Sequence, residues 1–285
     1  MGHNLPDFPW DTLAPFGDVA RSHPSGIIDL SVGTPVDDTP AFIQDALAAS
    51  TNSPRYPLTA GTPELREAIS QWARETLGAS GEFGVLPLIG SKEFVAWLPT
   101  LIKASSVIYP EIAYPTYLVG STIAGATPIP VSIDAVTWPK ADMVWINSPS
   151  NPTGRVHSES ELQAAITWAR SHNNPVVSDE CYFEFGESVT PTSILQFTGG
   201  DNSNILAVHS LSKRSNLAGY RAAFVIGDKE LIARILEVRK HAGMIVPLPI
   251  QQAMIAALKD SAHVAEQRAR YNARKALLRP VLIAA

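Results

Sequence analysis

Pro175-Val176-Val177-Ser178-Asp179-Glu180-Cys181-Tyr182 opens with a short uncharged run, β-branched at Val176 and Val177, which stops at the carboxylate of Asp179. Such a run shows no polar alternation, so it reads as a strand buried on both faces, and the acid marks where that strand stops. The same grammar recurs along the chain. Strand-length runs at 85–89, 143–146 and 205–209 end on Gly90-Ser91-Lys92, on Asn147 to Asn151 and on Ser210 to Lys213. Further runs at 107–109, 127–131 and 222–226 bring the expected strands to seven. Helix signals lie between them. Thr62-Pro63-Glu64 supplies an N-cap, a proline at the first helical position and a first-turn acid, and Gly78 supplies the stop. Ser158 to Glu161 reads as a capping box, with Arg170 and His172 suited to the far end of the helix dipole. Strands alternating with helices predict an α/β fold with a central, mostly parallel, seven-stranded sheet flanked by helices. In such sheets ligands bind at the carboxyl edge, where strand ends meet helix N-termini. Polar residues gather at that edge here, and an anionic small molecule, a phosphate first of all, is the expected ligand.

Composition agrees with this reading. The chain has 285 residues, 45% hydrophobic and 17% charged, which is enough for a large core and excludes disorder and small disulfide scaffolds. Basic residues number 22 against 27 acidic, a net charge of -5, with no basic run longer than a pair, so no nucleic-acid footprint is present. One cysteine, Cys181, makes no intramolecular disulfide or metal cluster, and no metal is expected. The first ten residues carry Asp7, Pro6 and Pro9 where a signal peptide needs an apolar stretch. A cytoplasmic location is the expectation. Residues 112–133 are uncharged, but Pro115, Pro128 and Pro130 divide them into helix, turn and strand instead of a membrane span.

Four segments stand out chemically. They are Tyr56-Pro57 followed by Gly61 and Leu65-Arg66, then Asn151-Pro152-Thr153-Gly154, then Ser178-Asp179-Glu180-Cys181-Tyr182, and then His209-Ser210-Leu211-Ser212-Lys213 with Arg221 beyond it. In this order and spacing, the chain from about residue 27 to 257 resembles the fold-type I, pyridoxal-phosphate-dependent aminotransferases of class I/II. The resemblance implies pyridoxal 5'-phosphate as cofactor, with Lys213 forming the Schiff base and later serving as the proton-moving base. Burial or a cationic neighbour such as Arg214 would lower the amine's pKa. Asp179, buried and in need of a cation, would face the protonated pyridine nitrogen. By the same resemblance Tyr182 and Asn151 hydrogen-bond the cofactor's phenolic oxygen, and Tyr114 stacks on its ring, with Tyr117 the weaker candidate. Ser91 and Lys92 after Gly90, together with Ser210 and Arg221, would hold the phosphate. Tyr56 would reach the phosphate of a neighbouring subunit, implying a homodimer with shared active sites. Gly33, in Ser31-Val32-Gly33-Thr34-Pro35, would let a substrate carboxylate approach the backbone alongside Asn151. Cys181 reads as a packed thiol. No G-x-G-x-x-G segment is present, which argues against a dinucleotide.

A narrower resemblance rests on Phe8-Pro9-Trp10-Asp11-Thr12-Leu13, Asp29 to Pro35, Ile112 to Tyr117 and Arg239 to Met244. These look like succinyldiaminopimelate aminotransferases of the actinobacterial type. That implies amino-group exchange between glutamate/2-oxoglutarate and N-succinyl-2-amino-6-oxopimelate, in lysine and diaminopimelate synthesis. Alternatives are a C–S β-lyase or aspartate-type aminotransferase on the same fold, and a non-catalytic cofactor-binding module. The expected division is an N-terminal arm over 1–35, a cofactor-binding large domain over 36–245, and the start of a small domain over 246–285. The family's carboxylate-gripping arginine lies beyond a helical stretch that here spans about 248–278. The chain stops at Ala285 without it, so a missing end is expected, with 279–282 leading into a further element.

Overall fold

A computed structural model describes residues 5–132 and 138–284. Residues 1–4 of the N-terminal stretch and residue 133 of the uncharged run therefore lie outside the described residues. Seven strands form one sheet: β1 Gly84–Ile89, β2 Ser106–Pro110, β3 Thr127–Val131, β4 Met143–Asn147, β5 Val176–Asp179, β6 Ile205–Ser210 and β7 Ala222–Gly227. Their order is β1-β7-β6-β5-β4-β2-β3. All seven expected strands are present. Residues of β4 to β7 are buried almost without exception, as continuous apolar runs with helices on both faces require.

The sheet is parallel except at β7, which runs antiparallel to both β6 and β1. That reversal shapes the site. Register places Asn147 beside Asp179, and Asp179 beside Val208, so the carboxyl ends of β4, β5 and β6 lie side by side. Ile89 at the end of β1 pairs with Ala222 at the beginning of β7. Arg221, which precedes β7, thereby meets residues that follow the other strands.

The helices are α1 Ala14–Arg21, α2 Ala41–Ala49, α3 Pro63–Leu77, α4 Ser91–Leu101, α5 Thr116–Ala124, α6 Glu159–His172, α7 Leu211–Arg214, α8 Lys229–Ala242, α9 Leu248–Lys259 and α10 Ala262–Ala284. The cap signals hold. Thr62 Oγ accepts from Leu65 N, Gly78 closes α3 in the left-handed region, and Ser158 and Glu161 form the reciprocal capping box of α6. Two apolar clusters fill the layers on either side of the sheet, one around Trp72, Ile146 and Phe224 and the other around Phe94, Tyr117 and Trp145.

The C-terminal expectation needs correction. The stretch over 248–278 is two helices, broken at Asp260, whose carboxylate caps α10 by accepting from His263 N at 2.9 Å. Residues 279–282 continue α10, with Pro280 inside it, and do not open a new element. Among the described residues no helix is long and apolar enough to cross a membrane.

Candidate active site

The carboxyl edge of the sheet encloses a cavity of about 410 Å3. Nine of the sequence-selected residues other than Gly33 and Tyr56 line it: Ser91, Lys92, Tyr114, Asn151, Asp179, Tyr182, Ser210, Lys213 and Arg221. Gly33 joins them from the N-terminal segment. Tyr56 does not: it is 97% exposed and outside this cavity, so any role it has lies toward another molecule.

Asp179, the last residue of β5, is 7% exposed. Its Oδ2 accepts from the Tyr117 hydroxyl at 2.9 Å and its Oδ1 from Cys181 N at 3.2 Å. Burial pushes its pKa up, and these hydrogen bonds oppose that rise. Tyr117 is the weaker of the two aromatic candidates by sequence. It proves to be fully buried, with its phenol pushed well above the usual range by burial and by the neighbouring carboxylate, so it stays a donor to Asp179. Tyr114 stands at the cavity wall instead, its ring perpendicular to that of Tyr117 with centroids 6.2 Å apart.

Lys213 sits on the short α7 immediately after β6, half-buried, and its Nζ donates to the Gly33 carbonyl. Desolvation lowers its pKa. The expected help from Arg214 is absent. Arg214 Nε pairs with Glu184 at 3.1 Å, its Nη1 donates to the Ala257 carbonyl at 2.9 Å, and its guanidinium lies 5.6 Å from the centre of the Trp72 ring. Adjacent residues on one turn of helix point to different surroundings, so it is burial that lowers the amine's pKa, against an opposing pull from Cys181.

The phosphate-binding expectation rests on four residues, and the structure brings them together. Gly90, at φ 80, is the N-cap of α4, and Ser91 and Lys92 open the helix. A Cβ built on Gly90 would stand 2.1 Å from Arg221 Nη2, so only glycine admits the guanidinium here. Arg221 itself has φ 57 and donates from Nη1 to the Ala218 carbonyl at 2.9 Å, which fixes the fork. Ser210 Oγ accepts from Ser212 N at 3.1 Å and donates to Ser212 Oγ at 2.9 Å. The Lys92 ammonium lies 4.9 Å from the Phe8 ring centre and 5.3 Å from that of Trp10, and Trp10 also lines the cavity.

Asn151 N donates to Asn147 Oδ1 at 2.7 Å, and Asn147 Nδ2 donates to the Asp179 carbonyl at 2.9 Å, so the 147–151 turn is locked to β5. Burial pushes the Tyr182 phenol up to about 12, which keeps it protonated as a donor at neutral pH. Cys181, read as a packed thiol, is on the cavity wall as well, and burial drives its pKa well up. Behind the site, Glu180 and His209 point to the opposite face of the sheet, as the two-residue period demands. Both are buried, with Glu180 Oε2 3.0 Å from His209 Nε2.

These residues match the demands of pyridoxal phosphate. A dianionic phosphate needs free N–H groups and a cation, and the Gly90 opening leaves room for both at Ser91 and Arg221. A ring nitrogen cation needs a buried acceptor, which Asp179 is. An aldehyde needs an amine of lowered pKa, which Lys213 is.

Known proteins agree. The chain is 49% identical, over 98% of its length and 79% of the relative, to the 4-dedimethylamino-4-oxo-anhydrotetracycline transaminase of Streptomyces rimosus. It is 50% identical, over 98% of its length and 69% of the relative, to a "Probable aminotransferase" of Mycobacterium tuberculosis. Among solved structures, the "probable N-succinyldiaminopimelate aminotransferase" of Thermus thermophilus superposes with a TM-score of 0.88 at 26% identity, covering 97% of this chain and 80% of that one. Residues 25–285 match the family described as aminotransferase class I and II. The chain therefore belongs to the class I and II aminotransferases, and is a transaminase that uses pyridoxal phosphate.

Proposed function

We propose that this transaminase moves an amino group from glutamate to N-succinyl-2-amino-6-oxopimelate, releasing 2-oxoglutarate, in lysine and diaminopimelate synthesis. The observation that carries the chemistry is the convergence in one cavity of the Lys213 amine, the Asp179 carboxylate and the Gly90–Arg221 opening. The acceptor is supported by the sequence resemblance and by the likeness to the Thermus thermophilus structure.

Ser91, Lys92, Ser210 and Arg221 are the phosphate ligands in this reading. Asp179, oriented by Tyr117, holds the ring nitrogen's proton, and Tyr182 and Asn151 donate to the phenolic oxygen. Tyr114 covers the ring. When bound, pyridoxal phosphate supplies the electron sink that makes a substrate Cα–H bond breakable. Lys213 Nζ takes that proton and returns it one position away. Gly33 and Asn151 receive the substrate carboxylate. The active unit is a cytoplasmic homodimer in which Tyr56 serves the partner's phosphate, and residues 1–35, 36–245 and 246–285 are arm, large domain and small-domain start.

A second reading has a specific observation behind it. The Streptomyces rimosus relative is named for a polycyclic ketone, which favours a bulkier acceptor. Glutamate-loaded protein should be offered both acceptors, with amino product quantified. N-succinyl-2-amino-6-oxopimelate turning over at least tenfold faster supports the first reading. Preference for a polycyclic ketone replaces it with the second, and no amino transfer from glutamate to either sinks both.

A further inference from the structure

Asn216 follows Lys213 by three residues and lies outside the cavity wall, in the left-handed region at φ 56. It is buried, and its amide is fully engaged. Nδ2 donates to the Asp38 carbonyl at 3.2 Å and to Gln267 Oε1 at 3.0 Å, while Oδ1 accepts from the Tyr271 hydroxyl at 3.5 Å. Its own carbonyl accepts from Thr39 Oγ at 3.0 Å. Gln267 in turn donates to Asp37 Oδ2 at 2.7 Å, and Arg274 grips the same carboxylate with bonds of 2.6 and 2.5 Å. Three pieces of chain are thus tied at one point: the turn after α7, the segment before α2, and α10.

That segment is the one carrying Gly33, whose carbonyl receives the Lys213 ammonium. It is held at two places, by the lysine at residue 33 and by the Asn216 network at 37–39. Of the residues between, Thr34 and Val36 are exposed and Pro35 is half-buried, and no strand or helix stiffens them. We propose that Asn216 is a positioning residue for substrate: its amide ties the 31–39 segment to α10 and so sets the Gly33 backbone beside the Lys213 amine. This rests on the reading above that Gly33 receives the substrate carboxylate.

The residue type is what such a tie requires. Position 216 must accept a left-handed backbone, which Asn, Asp and Gly do most readily. It must also offer two donors and an acceptor at once, which only Asn among these does. A segment already ordered costs less to fix when substrate arrives, so the tie acts on substrate affinity. It touches none of the proposed phosphate ligands.

Two substitutions separate the side chain from the backbone. Asn216→Gly keeps the conformation and removes the amide, and Asn216→Asp keeps the shape and removes the donors. Gln267→Met cuts the same bridge from its other end, for use if either 216 variant fails to fold. With pyridoxal phosphate bound, amide hydrogen exchange across 31–39 should be roughly tenfold faster in each, on the scale of two lost hydrogen bonds. KM for glutamate should rise by a similar factor while the Kd for pyridoxal phosphate changes less than about twofold. Unchanged exchange at 31–39 overturns the proposal, as does a loss of cofactor affinity as large as the rise in KM. Exchange is read without turnover, so if the wild-type chain takes no amino group from glutamate, the substrate reading falls while the tie is still decided.

Discussion

A carboxyl group that is 7% exposed and has no ion pair among the described residues relies on hydrogen bonds to favour its charged form, and Asp179 has one from Tyr117 and one from Cys181 N. Removing the phenol by Tyr117→Phe takes away a contact that lowers the Asp179 pKa, while the desolvation that raises it stays. The acid limb of the kcat profile should therefore move to higher pH, and kcat at neutral pH should fall by about tenfold, the scale of an unsatisfied buried acceptor. An unshifted profile would show that Tyr117 only packs. Lys213 gives the opposite sign. Burial lowers its pKa below the ordinary 10.5, so covalent capture of pyridoxal phosphate should rise with pH and level off at a lower pH than an exposed lysine would allow. Stopped-flow absorbance against pH measures this. The sequence made Asp179 and Lys213 legible because each ends an apolar run. It left Tyr117 behind Tyr114, since two aromatics three residues apart present no spacing that decides which turns inward. Arg214 points away from Lys213 for a related reason: adjacency along the chain says nothing about which way a helical side chain points.

At the scale of elements, the site depends on one reversed strand. Strands β1, β4, β5 and β6 deliver residues at their carboxyl ends, whereas β7 delivers Arg221 at its beginning and lays it into the opening at Gly90. Gly90→Ala should push the guanidinium out, because the new Cβ would meet Nη2 at 2.1 Å in a backbone already at φ 80. Affinity for pyridoxal phosphate, read by fluorescence titration, should weaken by tenfold or more, the effect of about 1–3 kcal/mol of strain and lost charge-assisted contact. An unchanged Kd would remove Arg221 from the phosphate site. The seven strands and the caps at Thr62 and Ser158 were readable because apolar runs and capping residues act locally. The direction of β7 was not, because strand polarity is set by the path of the chain between strands. The break between α9 and α10 did carry a signal in Asp260-Ser261, a helix-capping pair inside an otherwise helical pattern.

Across the whole molecule, the N-terminal segment is joined to α10 by Asp37, whose pKa Arg274 and Gln267 hold well below the carboxylate range. A depressed carboxylate contributes stability that is present above its ordinary value of 3.8 and is lost as pH falls through the lowered one. Asp37→Asn should therefore unfold at lower urea than the wild type at pH 7, with the gap narrowing below about pH 4 and shrinking in high salt, since the pair is partly exposed. A gap independent of pH would mean that the side chain acts by packing. Long-range ties of this kind link residues more than two hundred positions apart, and no local pattern in a single sequence announces them. The α/β class needed only local patterns, which is why it was readable from the strands alone. Every step assigned to the cavity requires that Lys213 be the amine that holds pyridoxal phosphate. Borohydride reduction of the yellow protein followed by peptide mass mapping identifies that amine. A reduced pyridoxyl phosphate adduct should appear on Lys213 alone and be absent from Lys213→Ala; an adduct on any other lysine, or none on protein that has bound the cofactor, would rule Lys213 out.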